Sequence, residues 1–217
     1  MIRLLKNRLI KKYDVFSFDI FDTLIERKVT IPSQIFYMAG SAVLGNSAAK
    51  EFCSNRMEAE KMARNFGGNN ECTLEEIYKQ LNGKYGSMCD ALMKAEVEAE
   101  LNNCMPRKKL VEFYNECIER GKRVFIISDM YLPGAVIKEM LRKCGVIDWN
   151  GLYISNEHNK NKRNSELFQS VIEDNCIERN SIIHIGDSFK ADFWGARKAG
   201  IDSLIVIKKH FIRRLCS

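Results

Sequence analysis

Four short, strongly apolar runs mark the chain, each closing on a polar cluster: VFSFDIFD (15–22), RVFIISD (123–129), GLYISN (151–156) and SIIHIGD (181–187). A fifth, SLIVI, spans 203–207. All are rich in Val, Ile or Phe and too short for helices, so they read as buried parallel strands. Helical patterns lie between them. Residues 106–120 open at Pro106, which suits the first turn of a helix, and end at Gly121; residues 133–144 run from Pro133 to just before Gly145. Stretches 164–178 and 189–199 complete the alternation, the latter closed by Gly200. Strand and helix in repetition predict an α/β fold with a doubly wound, Rossmann-like parallel sheet.

One interval breaks that rhythm. Between about 30 and 104 only helical stretches appear, such as 48–66, 73–81 and 88–104, separated by Gly67-Gly68-Asn69-Asn70 and by Gly83 to Gly86. That is too much helix for one crossover. It predicts a helical cap at 30–104, inserted after the first strand of an α/β core made of 1–29 and 105–217. No internal repeat or low-complexity tract is visible.

Composition narrows the class. A chain of 217 residues with 46% hydrophobic and 29% charged residues can bury a core, which excludes disordered and collagenous proteins. No apolar run approaches the ~18 residues of a membrane span. The basic N-terminus lacks an apolar signal core, so a cytoplasmic protein is expected. Eight cysteines never lie closer than 13 residues and form no Cys-x-x-Cys pair, pointing to reduced thiols rather than zinc or a disulfide framework.

The net charge of +6 sits at the ends. Arg3, Lys6, Arg8, Lys11 and Lys12 lie near the start, and Lys208, Lys209, Arg213 and Arg214 near the finish, with no acid in either stretch. Taking those nine from 34 basic residues leaves 25 against 28 acidic ones. The body therefore offers no basic face for nucleic acid. Ends of this kind can touch an anionic membrane surface, or simply be solvated tails that aid solubility.

Ligands of open α/β sheets gather at the carboxyl ends of the strands. There the sequence places Asp19, Asp22 and Thr23 after the first strand, and Ser128 with Asp129 after the second. The basic loop with Lys160, Lys162 and Arg163 follows the third, and Asp187, Ser188 and Asp192 the fourth. Crowded carboxylates repel, and a divalent cation with oxygen ligands relieves that repulsion. A lysine and a hydroxyl beside it suit phosphate oxygens. These residue types predict Mg²⁺-dependent phosphoryl transfer with an aspartate nucleophile. A single Asp after a strand is more often a turn or cap residue, so the weight lies in the set. His184, alternating within the fourth strand, reads as a packed core histidine, and His158 and His210 have no supporting partner in sequence.

FDIFDTL, IISD, a loop lysine and IGDSFKAD together resemble the haloacid dehalogenase-like (HAD) hydrolase superfamily across the whole chain. The strings ELNNCMPRKKL, ISDMYLPGAVI and SNEHNKNKRNSELF are similar to HAD hydrolases encoded beside bacterial glycosyltransferases and surface-polysaccharide genes. The resemblance implies that Asp19 forms an aspartyl-phosphate. It gives Thr23, Ser128 and Lys162 the phosphoryl oxygens, with Lys160 the alternative lysine. It makes Asp19, Asp187, Asp192 and the backbone carbonyl of Phe21 the ligands or orienting groups of Mg²⁺. A cap would close over the site and select the substrate.

One position departs from the pattern. HAD phosphatases carry a second aspartate two residues after the nucleophile, for proton transfer; here that residue is Phe21, and the acid falls at Asp22, where glycine is usual. Phenylalanine transfers no protons. Three consequences are open: Asp22 takes the acid–base role, the substrate has a good leaving group, or turnover is slow. Dehalogenases also lack that aspartate, but Asp187 with Asp192 is the metal-binding form of the last motif. The reading is a phosphatase of a small phosphorylated metabolite, a sugar phosphate foremost. Its rivals are a weakly active partner module of a glycosyltransferase and a phosphotransferase or mutase.

Overall fold

The computed structural model describes residues 2–66 and 70–207. The strands and helices, in chain order, are α1 (Ile2–Lys12), β1 (Val15–Phe18), β2 (Ile25–Arg27), α2 (Ser33–Leu44), α3 (Asn46–Phe66), α4 (Leu74–Tyr85), α5 (Cys89–Asn103), β3 (Cys104–Pro106), α6 (Lys108–Glu119), β4 (Arg123–Ser128), α7 (Gly134–Lys143), β5 (Gly151–Ile154), α8 (Ser155–His158), α9 (Glu166–Asp174), β6 (Ile182–Gly186), α10 (Ala196–Lys198) and β7 (Asp202–Ile205). A π-helical turn, Phe189–Gly195, leads into α10.

The five apolar runs form one parallel sheet in the order β5-β4-β1-β6-β7. Its strands are flanked by apolar side chains, which is why each reads as a short unbroken hydrophobic run. Val15, Phe125, Ile127 and Ile182 pack with Leu167, Phe168 and Val171 of α9. Phe16 and Phe18 meet Phe113 and Tyr114 of α6, with ring centroids 5.9 Å (Phe16–Phe113) and 5.4 Å (Phe18–Tyr114) apart. The fold is the expected doubly wound α/β sheet.

Chain contacts divide the molecule into two units. The sheet unit comprises residues up to Glu26, Pro106–Met130 and the chain from Leu141 onward; the helical unit comprises Arg27–Met105 and Tyr131–Met140. Within the helical unit α2 packs on α3 and α5, and α4 on α3. A capping box opens α4: the Thr73 hydroxyl accepts from the Glu76 N–H at 3.2 Å, while the Glu76 carboxylate accepts from the Thr73 N–H at 2.9 Å.

Two local readings change. The basic N-terminal run is not a loose tail: it forms α1, whose Ile10 is buried and whose Lys6 lies 5.2 Å from the Phe113 ring. Leu4 and Leu5 stay exposed on it. Pro106 ends the three-residue strand β3 instead of opening α6. Lys208, Lys209, His210, Arg213 and Arg214 lie outside the described residues, as do Gly67, Gly68 and Asn69. No disulfide links the described cysteines. No helix among the described residues is long and apolar enough to cross a membrane.

Candidate active site

A cleft of about 230 Å³ opens at the carboxyl edge of the sheet, lined by Asp19, Phe21, Asp22, Ser128, Asp129, Lys162, Asp187, Ser188, Ala191 and Asp192. Each group arrives at or beyond the carboxyl end of a strand. Asp19 follows β1, and its N–H donates to the Ile185 carbonyl at 2.9 Å. Ser128 closes β4, Asp187 follows β6, and Asp192 rides the π-helical turn, whose first turn is capped by the Ser188 hydroxyl accepting from the Ala191 N–H at 3.2 Å.

Two glycines make the approach feasible. A Cβ on Gly186 would lie 2.2 Å from the Asp192 carboxyl carbon, and one on Gly195 would lie 2.0 Å from the Lys162 carbonyl oxygen. Any side chain there would displace the aspartate or the lysine loop. The lysine loop is fixed from the other side, where the Asp129 carboxylate accepts the Lys162 N–H at 2.9 Å.

Lys162 is buried at the centre. Its ammonium donates to Asp19 Oδ1 and to Asp192 Oδ1, both at 2.6 Å. The Ser128 hydroxyl reaches Asp19 Oδ1 at 3.4 Å. Asp192 is fully buried; its Oδ2 accepts the Ser188 N–H at 2.7 Å, and its Oδ1 faces His184 Nε2 at 3.1 Å. Burial opposes ionisation of Asp192, but Lys162 and His184 override it and hold the carboxyl well below the usual range. Asp19 behaves oppositely. Burial, helped by Asp192 and Asp187 and opposed by Lys162, pushes its pKa up to about 7.

Of the residues expected at the site, Asp19, Phe21, Asp22, Ser128, Lys162, Asp187 and Asp192 line the cleft. Thr23 does not: it is fully buried, and its hydroxyl has no hydrogen-bond partner. Lys160 turns away, donating to the Ser170 hydroxyl at 2.7 Å. Asp22 sits in the left-handed region, φ 55°, which a glycine adopts more readily. Its N–H donates to the Ile25 carbonyl at 2.8 Å, and its carbonyl accepts from Arg107. His184, read from sequence as core, is indeed in the core yet touches the site through Asp192. Its alternation in β6 gives its face but not its partner.

The donor set suits a hard cation. Asp19, Asp187 and Asp192 bring carboxylate oxygens that all lie within 4.8 Å of one another, and the cluster they form among the described residues is made of carboxylates alone. Oxygen-only donors, carboxylates in excess over the one buried lysine, match Mg²⁺ chemistry.

A profile of the haloacid dehalogenase-like hydrolases matches residues 18–206, nearly the whole described chain. The chain belongs to that family. Among solved structures, this HAD hydrolase is similar to YfnB of Bacillus subtilis, a HAD hydrolase bound to magnesium, at 13% identity and TM-score 0.65, covering 94% of this chain and 98% of that one. A HAD-family enzyme of Bacteroides thetaiotaomicron in complex with magnesium and inorganic phosphate matches at 16% identity and TM-score 0.63, covering 91% and 96%. The L-2-haloacid dehalogenase of Xanthobacter autotrophicus matches at 12% identity and TM-score 0.62, covering 94% and 82%. These likenesses establish the fold. No curated protein matches the chain.

Proposed function

We propose that this HAD hydrolase is a Mg²⁺-dependent phosphatase of a small phosphorylated metabolite, with a sugar phosphate as the foremost class. The observation that carries the reading is the placement of Asp19. Its carboxylate is held by Lys162 and Ser128 in a cleft that also brings Asp187 and Asp192 within 4.8 Å. A haloacid dehalogenase reading shares Asp19 but leaves the Asp187–Asp192 pair unexplained.

In this scheme Asp19 attacks phosphorus as the bond to the leaving oxygen breaks, giving an aspartyl-phosphate and the free alcohol. Water then breaks the acyl-phosphate bond, releasing inorganic phosphate and restoring the carboxylate. Lys162 and the Ser128 hydroxyl stabilise charge on the phosphoryl oxygens. Asp19 and Asp187 would hold Mg²⁺, with Asp192 orienting the group and the Phe21 carbonyl a further ligand. When bound, the ion neutralises the carboxylates and draws charge from the transferring phosphoryl group. Asp22, on the cleft wall one residue beyond the apolar Phe21, takes the proton role. The helical unit serves as the cap that excludes water and selects the substrate.

The test uses an aryl phosphate and acetyl phosphate, with and without Mg²⁺, beside Asp19→Asn. Both leaving groups need little protonation, so Phe21 hinders them least. Mg²⁺-dependent phosphate release that vanishes in Asp19→Asn is the expected result; release that persists in Asp19→Asn would sink the nucleophile assignment. Phe21 also favours a second reading, a weakly active partner module of a glycosyltransferase in surface-polysaccharide synthesis. Mg²⁺-dependent binding of phosphate mimics without turnover, together with co-purification of that enzyme, would select it.

A further inference from the structure

Behind the cleft lies a buried polar chain that the proposed reaction does not use. Ser17 in β1 and His184 in β6 are register partners in adjacent parallel strands, and neither is exposed at all. Their side chains meet at 2.9 Å, Ser17 Oγ to His184 Nδ1. The opposite ring nitrogen, Nε2, lies 3.1 Å from Asp192 Oδ1. Two buried polar groups inside an otherwise apolar pair of strands are costly unless they are hydrogen-bonded. Apolar residues at both positions would pack the sheet at lower cost, so the pair needs a reason beyond packing.

The chemistry of each atom fixes the direction of the chain. Asp192 is ionised and can only accept, so Nε2 carries the ring proton and donates to it. Burial favours the neutral ring, in which Nδ1 is then an acceptor and the Ser17 hydroxyl is the donor it faces. Phe168 meets the imidazole edge-on, with centroids 4.7 Å apart, and closes off other ring orientations. With Lys162 and the Ser188 N–H on its remaining positions, Asp192 has both oxygens held from three directions.

We propose that Ser17 and His184 are positioning residues, a relay through the back of the sheet that sets the Asp192 carboxylate and so keeps Lys162 and the metal-facing carboxylates in register. The proposal rests on the reading that Asp19, Asp187 and Asp192 form a magnesium site. Groups that hydrogen-bond to metal-site carboxylates restrict their rotation, and losing such a group typically weakens metal affinity or activity by about 10–100-fold.

The test is a Mg²⁺ titration of the thermal melt for the full chain, followed by kcat and KM with an aryl phosphate, for wild type, His184→Leu, His184→Gln and Ser17→Ala. His184→Leu removes the donor and should raise half-saturating Mg²⁺ by about 10–100-fold. Glutamine places an amide N–H near the former Nε2, so His184→Gln should return close to wild type, a rescue that mere space-filling would not give. Ser17→Ala frees the ring and should shift the half-point by about tenfold. His184→Leu or Ser17→Ala with the wild-type Mg²⁺ half-point would overturn the relay alone, as would a glutamine variant no better than leucine. If His184→Leu fails to fold, Ser17→Ala with His184→Gln decides it. A wild-type melt indifferent to Mg²⁺ would overturn the magnesium site, and the relay with it.

Discussion

In the helical unit Arg56 is wholly buried, yet each charge around it is matched. Its guanidinium makes two 2.7 Å hydrogen bonds to Glu96, which is also fully buried, and a third to Glu60 at 3.2 Å. The rings of Phe36 and Tyr131 lie 4.4 and 4.9 Å from it, and the Tyr78 hydroxyl donates to Glu96 at 2.8 Å. In the sheet unit the buried Lys162 also sits between two carboxylates, but Asp22, Asp129 and Asp187 crowd the same cleft with no second cation among its lining residues. The first cluster is satisfied by its own residues. The lining of the second holds five aspartates to one lysine, and it opens to solvent. Charge enclosed within the fold serves the fold; carboxylates gathered at an open cleft suit a cationic ligand.

The comparison can be broken from either side. Asp19→Asn should lower turnover by on the order of 10⁴-fold or more while leaving the far-ultraviolet circular dichroism and the melt near wild type. Arg56→Met should do the reverse. It strands Glu96 in the interior and should cost about 3–5 kcal/mol by urea denaturation, with acetyl phosphate turnover per folded molecule retained. If Arg56→Met leaves stability intact, or Asp19→Asn unfolds the chain, the division between a structural and a functional charge cluster fails.

A smaller effect tests what the cleft lacks. Phe21→Asp supplies a carboxyl at the family's proton-transfer position and should raise hydrolysis of alkyl phosphates, whose leaving groups need a proton, by about 100-fold. Aryl phosphates should gain far less. Asp22→Asn discriminates between the two sources of the proton: if it alone abolishes alkyl phosphate hydrolysis in the parent chain, Asp22 is already the acid. No change in either variant would remove both from proton transfer.

The two clusters also differ in how sequence reveals them. The strand–helix alternation was legible because a strand buried on both faces must be an apolar run, and Asp19, Asp129 and Asp187 were legible because each stands directly after a strand. Three-residue strands carry too few positions for any period to register, which hid β2 and β3. In α1 the basic residues masked the apolar face that buries Ile10. Arg56 and Glu96 are 40 residues apart, and His184 meets Ser17 across 167. No local pattern encodes such partnerships. A buried charge in sequence looks like any surface charge until its partner is brought to it.

The finest test sets surplus charge against matched charge without touching the chemistry. In metal-free buffer Asp187→Asn removes one of the carboxylates that disfavour ionised Asp19, so the melt should hold or rise slightly. Glu96→Gln should lower it, because Arg56 then keeps a buried charge with a weaker partner. At the surface, Asp202 shows the ordinary case: the hydroxyl of Tyr13, 2.5 Å away, and then Lys12 and Arg197 lower its pKa, against slight burial. A carboxylate lowered in the folded state contributes stability that is full above its ordinary value of 3.8 and is lost as pH falls through the lowered one. Asp202→Asn should therefore narrow the gap between stability at neutral pH and at pH values below that point, by a small amount that salt screens further. The cleft carboxylates should respond to Mg²⁺ far more than to salt, and Asp202 to salt alone. Should Asp187→Asn lower the metal-free melt as Glu96→Gln does, the cleft's charge would be as well matched as that of the helical unit, and the electrostatic case for a bound cation would fall.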